Sequence, residues 1–176
     1  MTHLTPLSPL SPVYAIAELA EQALALSLPT IEALMESHTS RKLMDVVMLG
    51  PNGEILLDRC IGPDADKPEF AGLRQDFAEI ARSKAAIHYR TGRPSREVHD
   101  RAPHLLLVGD TVYGGSAAYE GLIVAGSGVQ DYFDETIAAI LAATFWGLIK
   151  ERQARYRNHH SGQPMYRHSA AEADFD

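Results

Sequence analysis

The stretch Val112 to Glu135, VYGGSAAYEGLIVAGSGVQDYFDE, sets glycines among two apolar runs and then turns acidic. Its reading decides the fold, because glycines in this density either cradle a phosphate or shape the turns of a small sheet. A dinucleotide loop needs G-x-G-x-x-G between a strand and a helix, and a P-loop needs G-x-x-x-x-G-K followed by Ser or Thr. Gly126-Ser127-Gly128 supplies G-x-G, but the third residue beyond it is Asp131, and no lysine stands between Lys84 and Lys150. Asp131, Asp134 and Glu135 suit a helix start, where carboxylates meet the positive end of the dipole and would repel a phosphate. The glycines therefore read as turn residues and as places where strands approach closely.

Working outward, HLLLVGD (104–110) reads as a buried strand, TVYGGSAAY (111–119) and EGLIVAGS (120–127) as two more, and Asp131 onward as the last helix. Further upstream, Met44 to Gly50 and Ile55 to Cys60 flank Pro51-Asn52-Gly53, a strong hairpin signal. Helices are expected from Val13 to Ser27, from Thr30 to about Ser37 after a break at Pro29, and from Glu69 to Arg90, with Gly92 and Pro94 ending the last. This order predicts an α+β domain, an antiparallel sheet of about five strands flanked by helices. A single domain is expected over 13–157, after a flexible arm (1–12) and before a disordered tail (158–176).

The chain has 176 residues and a formal net charge of −7, which argues against a surface built for nucleic acid. Cys60 is the only cysteine, so no intrachain disulfide forms, and the start lacks the basic end and apolar stretch of a signal peptide. A cytoplasmic location is expected. The uncharged run Ile137 to Ile149 falls short of the ~20 residues that cross a bilayer, so no membrane partner is expected. Its apolar residues cover more than half the helix circumference, which predicts a homo-oligomer with this helix near the interface.

Two segments carry a resemblance. ARSKAAIHYRTGRPS (Ala81 to Ser95) and GGSAAYEGLIVAGSGVQDYFDETIA (Gly114 to Ala138) resemble the GlcG/HbpS-like haem-binding family, sometimes called haem-degrading. The resemblance implies a small antiparallel sheet flanked by helices, similar to profilin, assembled into dimers or rings, with haem as the cofactor in some members. The segment Asp58 to Glu69, DRCIGPDADKPE, departs from the family's Arg-Met-Asp pattern.

The densest candidate site is His88 to His104, HYRTGRPSREVHDRAPH. Arg90, Arg93, Arg96 and Arg101 can bind carboxylates through the guanidinium fork, whether haem propionates or a small organic acid. They can equally be a solvated surface paired with Glu97, Asp100 and the acidic 62–69 loop. His99 is the histidine best placed to face a ligand, since His88 reads as a helix-end cation and His104 as the start of a strand. Gly114, Gly115 and Ser116 can hold an anion through main-chain N–H groups and a hydroxyl, with Tyr113 and Tyr119 beside them, or can form a plain bulge. Asp76 and Glu79 share a helix side, an arrangement more usual of a solvated face than of a metal site. The leading expectation is an oligomeric protein binding haem or another flat, carboxylate-bearing small molecule. The alternative is a cofactor-free enzyme acting on a small organic acid, with His99 or Asp100 moving a proton. A third reading, a regulatory partner protein, leaves the glycines to serve the fold alone.

Overall fold

A computed structural model describes residues 14, 16–159 and 162. The expected arm and nearly all of the expected tail lie outside the described residues; the tail's first two positions, 158 and 159, are helical. Four strands form one antiparallel sheet: β1 (Met44–Leu49), β2 (Ile55–Ile61), β3 (Ser116–Tyr119) and β4 (Leu122–Ser127), in the order β2-β1-β4-β3. Two hairpins build it. The first closes around Pro51-Asn52-Gly53 as its sequence predicts, pairing Met44 with Ile61 and Val47 with Asp58. The second turns at Glu120 and Gly121, which both take positive φ (51° and 84°), the conformation that matches a tight turn to strand twist. β1 and β4 then pair at the centre, Val47 opposite Ala125.

Alternation along β1 sorts the core into two layers. Met44, Val46 and Met48 face α1 (Ala17–His38) and α4 (Asp131–His159), packing with Leu19, Ile31, Leu141 and Phe145. Val47 and Leu49 face α2 (Ala71–Thr91), where Ala81 and Ala85 let the helix lie close. α4 is long and apolar enough to cross a membrane by length and composition, but Ile137, Leu141 and Phe145 are fully buried against the sheet.

Three expectations need correction. The sheet has four strands, not five, because HLLLVGD is not a strand. A single 3₁₀ turn (Pro103–Leu105) opens that segment, and Leu107 and Val108 point into solvent. Pro29 does not split α1: the bond it cannot make would go to the carbonyl of Ala25, and both residues lie on the exposed side, where water can serve that carbonyl. Residues 95–101, read as loop, form a short helix, α3 (Ser95–Arg101). α1 packs against α4, and Ser27 Oγ donates to Thr144 Oγ1 at 2.9 Å between the two helices.

Candidate functional site

Where α2 passes the end of β4 and α4 begins, the fold buries an ion pair. Lys84 is 1% exposed and Asp134 is 3% exposed. Lys84 Nζ donates to Asp134 Oδ2 at 2.8 Å and to the carbonyl of Gly126 at 2.7 Å, while Asp134 Oδ1 accepts the Val129 N–H at 3.2 Å. A buried charge of either sign is tolerable only when paired and hydrogen-bonded in this way. Burial lowers the pKa of the Lys84 ammonium, with Asp134 opposing the shift. Burial likewise pushes the Asp134 carboxyl up to about 6, with Lys84 opposing.

The glycines of the opening stretch enclose this pair. Gly115 has φ +122°, and a Cβ there would stand 2.8 Å from Asp134 Cβ and 3.0 Å from Lys84 Nζ. Only glycine fits both the backbone and the space.

Above the pair opens a cavity of about 590 Å³, between α2, the 112–114 segment and the start of α4. Phe77, Ile80, Val112 and Tyr113 give it apolar and aromatic walls, and Arg41 and Asp131 also border it. Arg41 lies over the Phe77 ring, 5.4 Å from its centroid, and reaches the Gly128 carbonyl at 3.4 Å, its one side-chain hydrogen bond among the described residues.

The structure disperses the residues singled out in the sequence. Gly114 and Tyr113 line the cavity. Ser116 is fully buried, and its Oγ accepts the Ser95 N–H at 2.7 Å and lies 3.1 Å from His88 Nδ1. It thus ties the start of α3, whose N-cap Pro94 offers no capping side chain, to α2. His88 is not a helix-end cation: burial lowers its pKa to about 4 and keeps the ring neutral. Arg96 donates to Glu135 at 2.6 Å and Asp131 at 2.9 Å, bracing α3 against α4, with its backbone and Cβ packed on Gly114. Arg90 pairs with Asp110 at 2.7 Å and borders a separate apolar groove of about 400 Å³ beside Val47, Leu49 and Tyr89. Arg93 pairs with Glu97 at 3.1 Å, and Arg101 and Asp100 are exposed on α3. His99 is half-buried on α3 with Nε2 lacking a hydrogen-bond partner among the described residues, and His104 is exposed; neither lines the cavity. Asp76 and Glu79 are both exposed, and the described residues contain no cluster of three or more metal-binding side chains.

No family model matches the sequence, and no curated protein matches it. Solved structures do match. Klebsiella pneumoniae protein ORFY, of family-model DUF336, aligns with a TM-score of 0.55 and 15% identity, over 81% of this chain and 98% of that one. The chain has the ORFY fold. A second structure, Ybr137w protein, aligns with a TM-score of 0.49 and 13% identity, over 77% of this chain and 88% of that one. At such identity the likeness to ORFY is one of fold, and the resemblance read in the glycine motifs stands at that level.

Within the ORFY fold, the pocket can be tested against haem. Haem iron takes an axial His, Cys, Met or Tyr. The cavity lining holds Tyr113 but no His, Cys or Met. These residues do not fit a histidine-ligated haem. Asp134 stands in the first turn of α4, as its sequence position suggests, but its pairing with Lys84 is not foreseen from the sequence. The available signal was Lys84 itself, flanked by Ala81, Ala85 and Ile87 on the buried stripe of α2.

Proposed function

We propose that this chain is a small-molecule-binding domain that takes a flat, carboxylate-bearing ligand other than a histidine-ligated haem in the α2–α4 cavity. The observation that carries this reading is the cavity itself, with the Arg41 guanidinium over Phe77 at its rim and the Lys84–Asp134 pair at its base. Arg41 supplies a fork for a carboxylate, Phe77 and Tyr113 supply faces for a planar body, and Ile80 adds an apolar wall. A cytoplasmic, homo-oligomeric protein belongs to the same reading. The exposed apolar segment 107–113 provides the contact: Arg90 and Ser83 fix it through Asp110 and the Thr111 N–H, so Leu107 and Val108 are presented on an ordered loop.

The test is calorimetric titration with benzoate, comparing wild type with Arg41→Ala. Arg41 is exposed, so its removal leaves the fold intact while costing about tenfold in affinity, the worth of one charge-assisted contact. Benzoate affinity that is absent, or equal in the two proteins, counts against the pocket. Haemin serves as the comparison, and a stoichiometric Soret shift abolished by His99→Ala would return the site to α3.

A further inference from the structure

We propose that Lys84 is a carbonyl-reactive amine, and that the ligand of this cavity is an aromatic 2-oxo acid which Lys84 binds as an imine. The inference rests on the pocket reading and names the ligand class within it.

A lysine becomes a nucleophile when it is desolvated, held beside a group that can carry its proton, and open to an electrophile. Lys84 meets all three conditions. It is buried, its Nζ contacts Asp134 Oδ2, and it borders the cavity. Gly126 O and Asp134 Oδ2 are its two acceptors among the described residues, which leaves one direction at nitrogen uncommitted. A Cβ at Gly115 would lie 3.0 Å from Nζ, so a side chain there would crowd the nitrogen that glycine leaves unobstructed on that side. Burial shifts both groups toward their neutral forms, Lys84 downward and Asp134 up to about 6, which is the direction a nucleophilic amine requires. A structural ion pair needs no cavity beside it, and the other lysines lack this setting: Lys42 caps the end of α1 through main-chain carbonyls, while Lys67 and Lys150 stand in solvent.

The chemistry balances with water as the only by-product. The Nζ lone pair forms a C–N bond to the ketone carbon as the C=O π bond opens, and Asp134 carries a proton from nitrogen to oxygen to give the carbinolamine. A second transfer along the same path removes the remaining nitrogen proton and lets the hydroxyl leave as water, closing C=N. The substrate's carboxylate, adjacent to the ketone, is the group left for Arg41, and its ring lies on the Phe77 and Tyr113 side.

The experiment treats the full chain with phenylglyoxylate and sodium cyanoborohydride, which reduces C=N to a stable secondary amine, and locates the adduct by peptide mass spectrometry. The expected result is labelling at Lys84 about tenfold above Lys67 or Lys150, despite their greater exposure. Asp134→Asn keeps the side-chain size and slows trapping about a hundredfold, as loss of a proton carrier should. Labelling confined to Lys67 and Lys150, or trapping indifferent to Asp134→Asn, overturns the proposal. Benzoate has the carboxylate but no ketone, so benzoate binding without Lys84 labelling overturns the imine alone, whereas failure of both overturns the pocket as well.

Discussion

A lysine and an aspartate removed from water inside an otherwise apolar junction are each far costlier alone than together. Deleting one partner strands the other, whereas replacing both with apolar groups of similar volume can cost nothing. Lys84→Met is therefore expected to destabilise the protein by about 3–5 kcal/mol, and the double variant Lys84→Met/Asp134→Leu to recover part of that loss. Urea unfolding of the four proteins of this cycle measures it, and additive losses would mean the two groups do not depend on each other. Gly115 gives up the space that a side chain would take from the ammonium and from Asp134, while Gly114 makes room for Arg96, and Gly126 and Gly128 for Met44. What looked in the sequence like an anion-binding loop is a set of backbone positions yielding room to packed neighbours, the internal salt bridge among them.

At the scale of elements, α3 is held by polar contacts more than by its own length, since seven residues make a marginal helix. Ser116 of β3 accepts the Ser95 N–H and approaches His88 of α2, with Glu97 the nearby charge that opposes the lowering of the His88 pKa. Folded His88 titrates near 4 against its ordinary 6.5, so the unfolded chain takes up this proton first and stability falls as the pH drops between those values. Asp45 and Asp134, both raised to about 6, act in the opposite sense, because the folded chain holds their protons more firmly over the same range. Comparison with His88→Gln isolates the histidine: wild type should lose about 2 kcal/mol more than the variant between about pH 7 and pH 4.5. Parallel losses in the two proteins would mean that His88 accepts its proton without penalty. Such internal pairings were the least legible part of the sequence. The β1–β2 hairpin was plain, because Pro51-Asn52-Gly53 has few other uses between two apolar runs, and α2 was plain from its stripe and from Gly92 and Pro94 beyond it. HLLLVGD was misread because apolar content without alternation does not say whether a partner strand exists, and here β3 already occupies the sheet edge beside β4. The arginines of 90–101 were legible as a cluster. Their destinations, Asp110, Glu97, Asp131 and Glu135, depend on where α3 lies, and α3 itself was not foreseen.

For the whole molecule, the sequence argument for association pointed to α4, whose apolar residues seemed too many for one face. The structure accounts for them internally, with Ile137, Leu141 and Phe145 on the sheet and Ile140, Trp146 and Leu148 half-buried around that core. Among the exposed large apolar side chains, Leu107, Val108, Val112 and Tyr113 share one segment, anchored by the Arg90–Asp110 pair and by the Thr111 N–H on Ser83. An ordered loop that offers large apolar side chains to water gains by being covered, and a second copy of the chain is the partner that the homo-oligomer reading supplies. Light scattering at micromolar concentration should then give a mass above the 19.3 kDa of one chain. The double variant Leu107→Glu/Val108→Glu should return it to that mass with an unchanged far-ultraviolet spectrum, since neither side chain belongs to the core. A wild-type protein that is already monomeric, or an assembly indifferent to the two charges, would remove this surface from the interface. The cavity would still be complete in that case, because each residue that lines it comes from one chain.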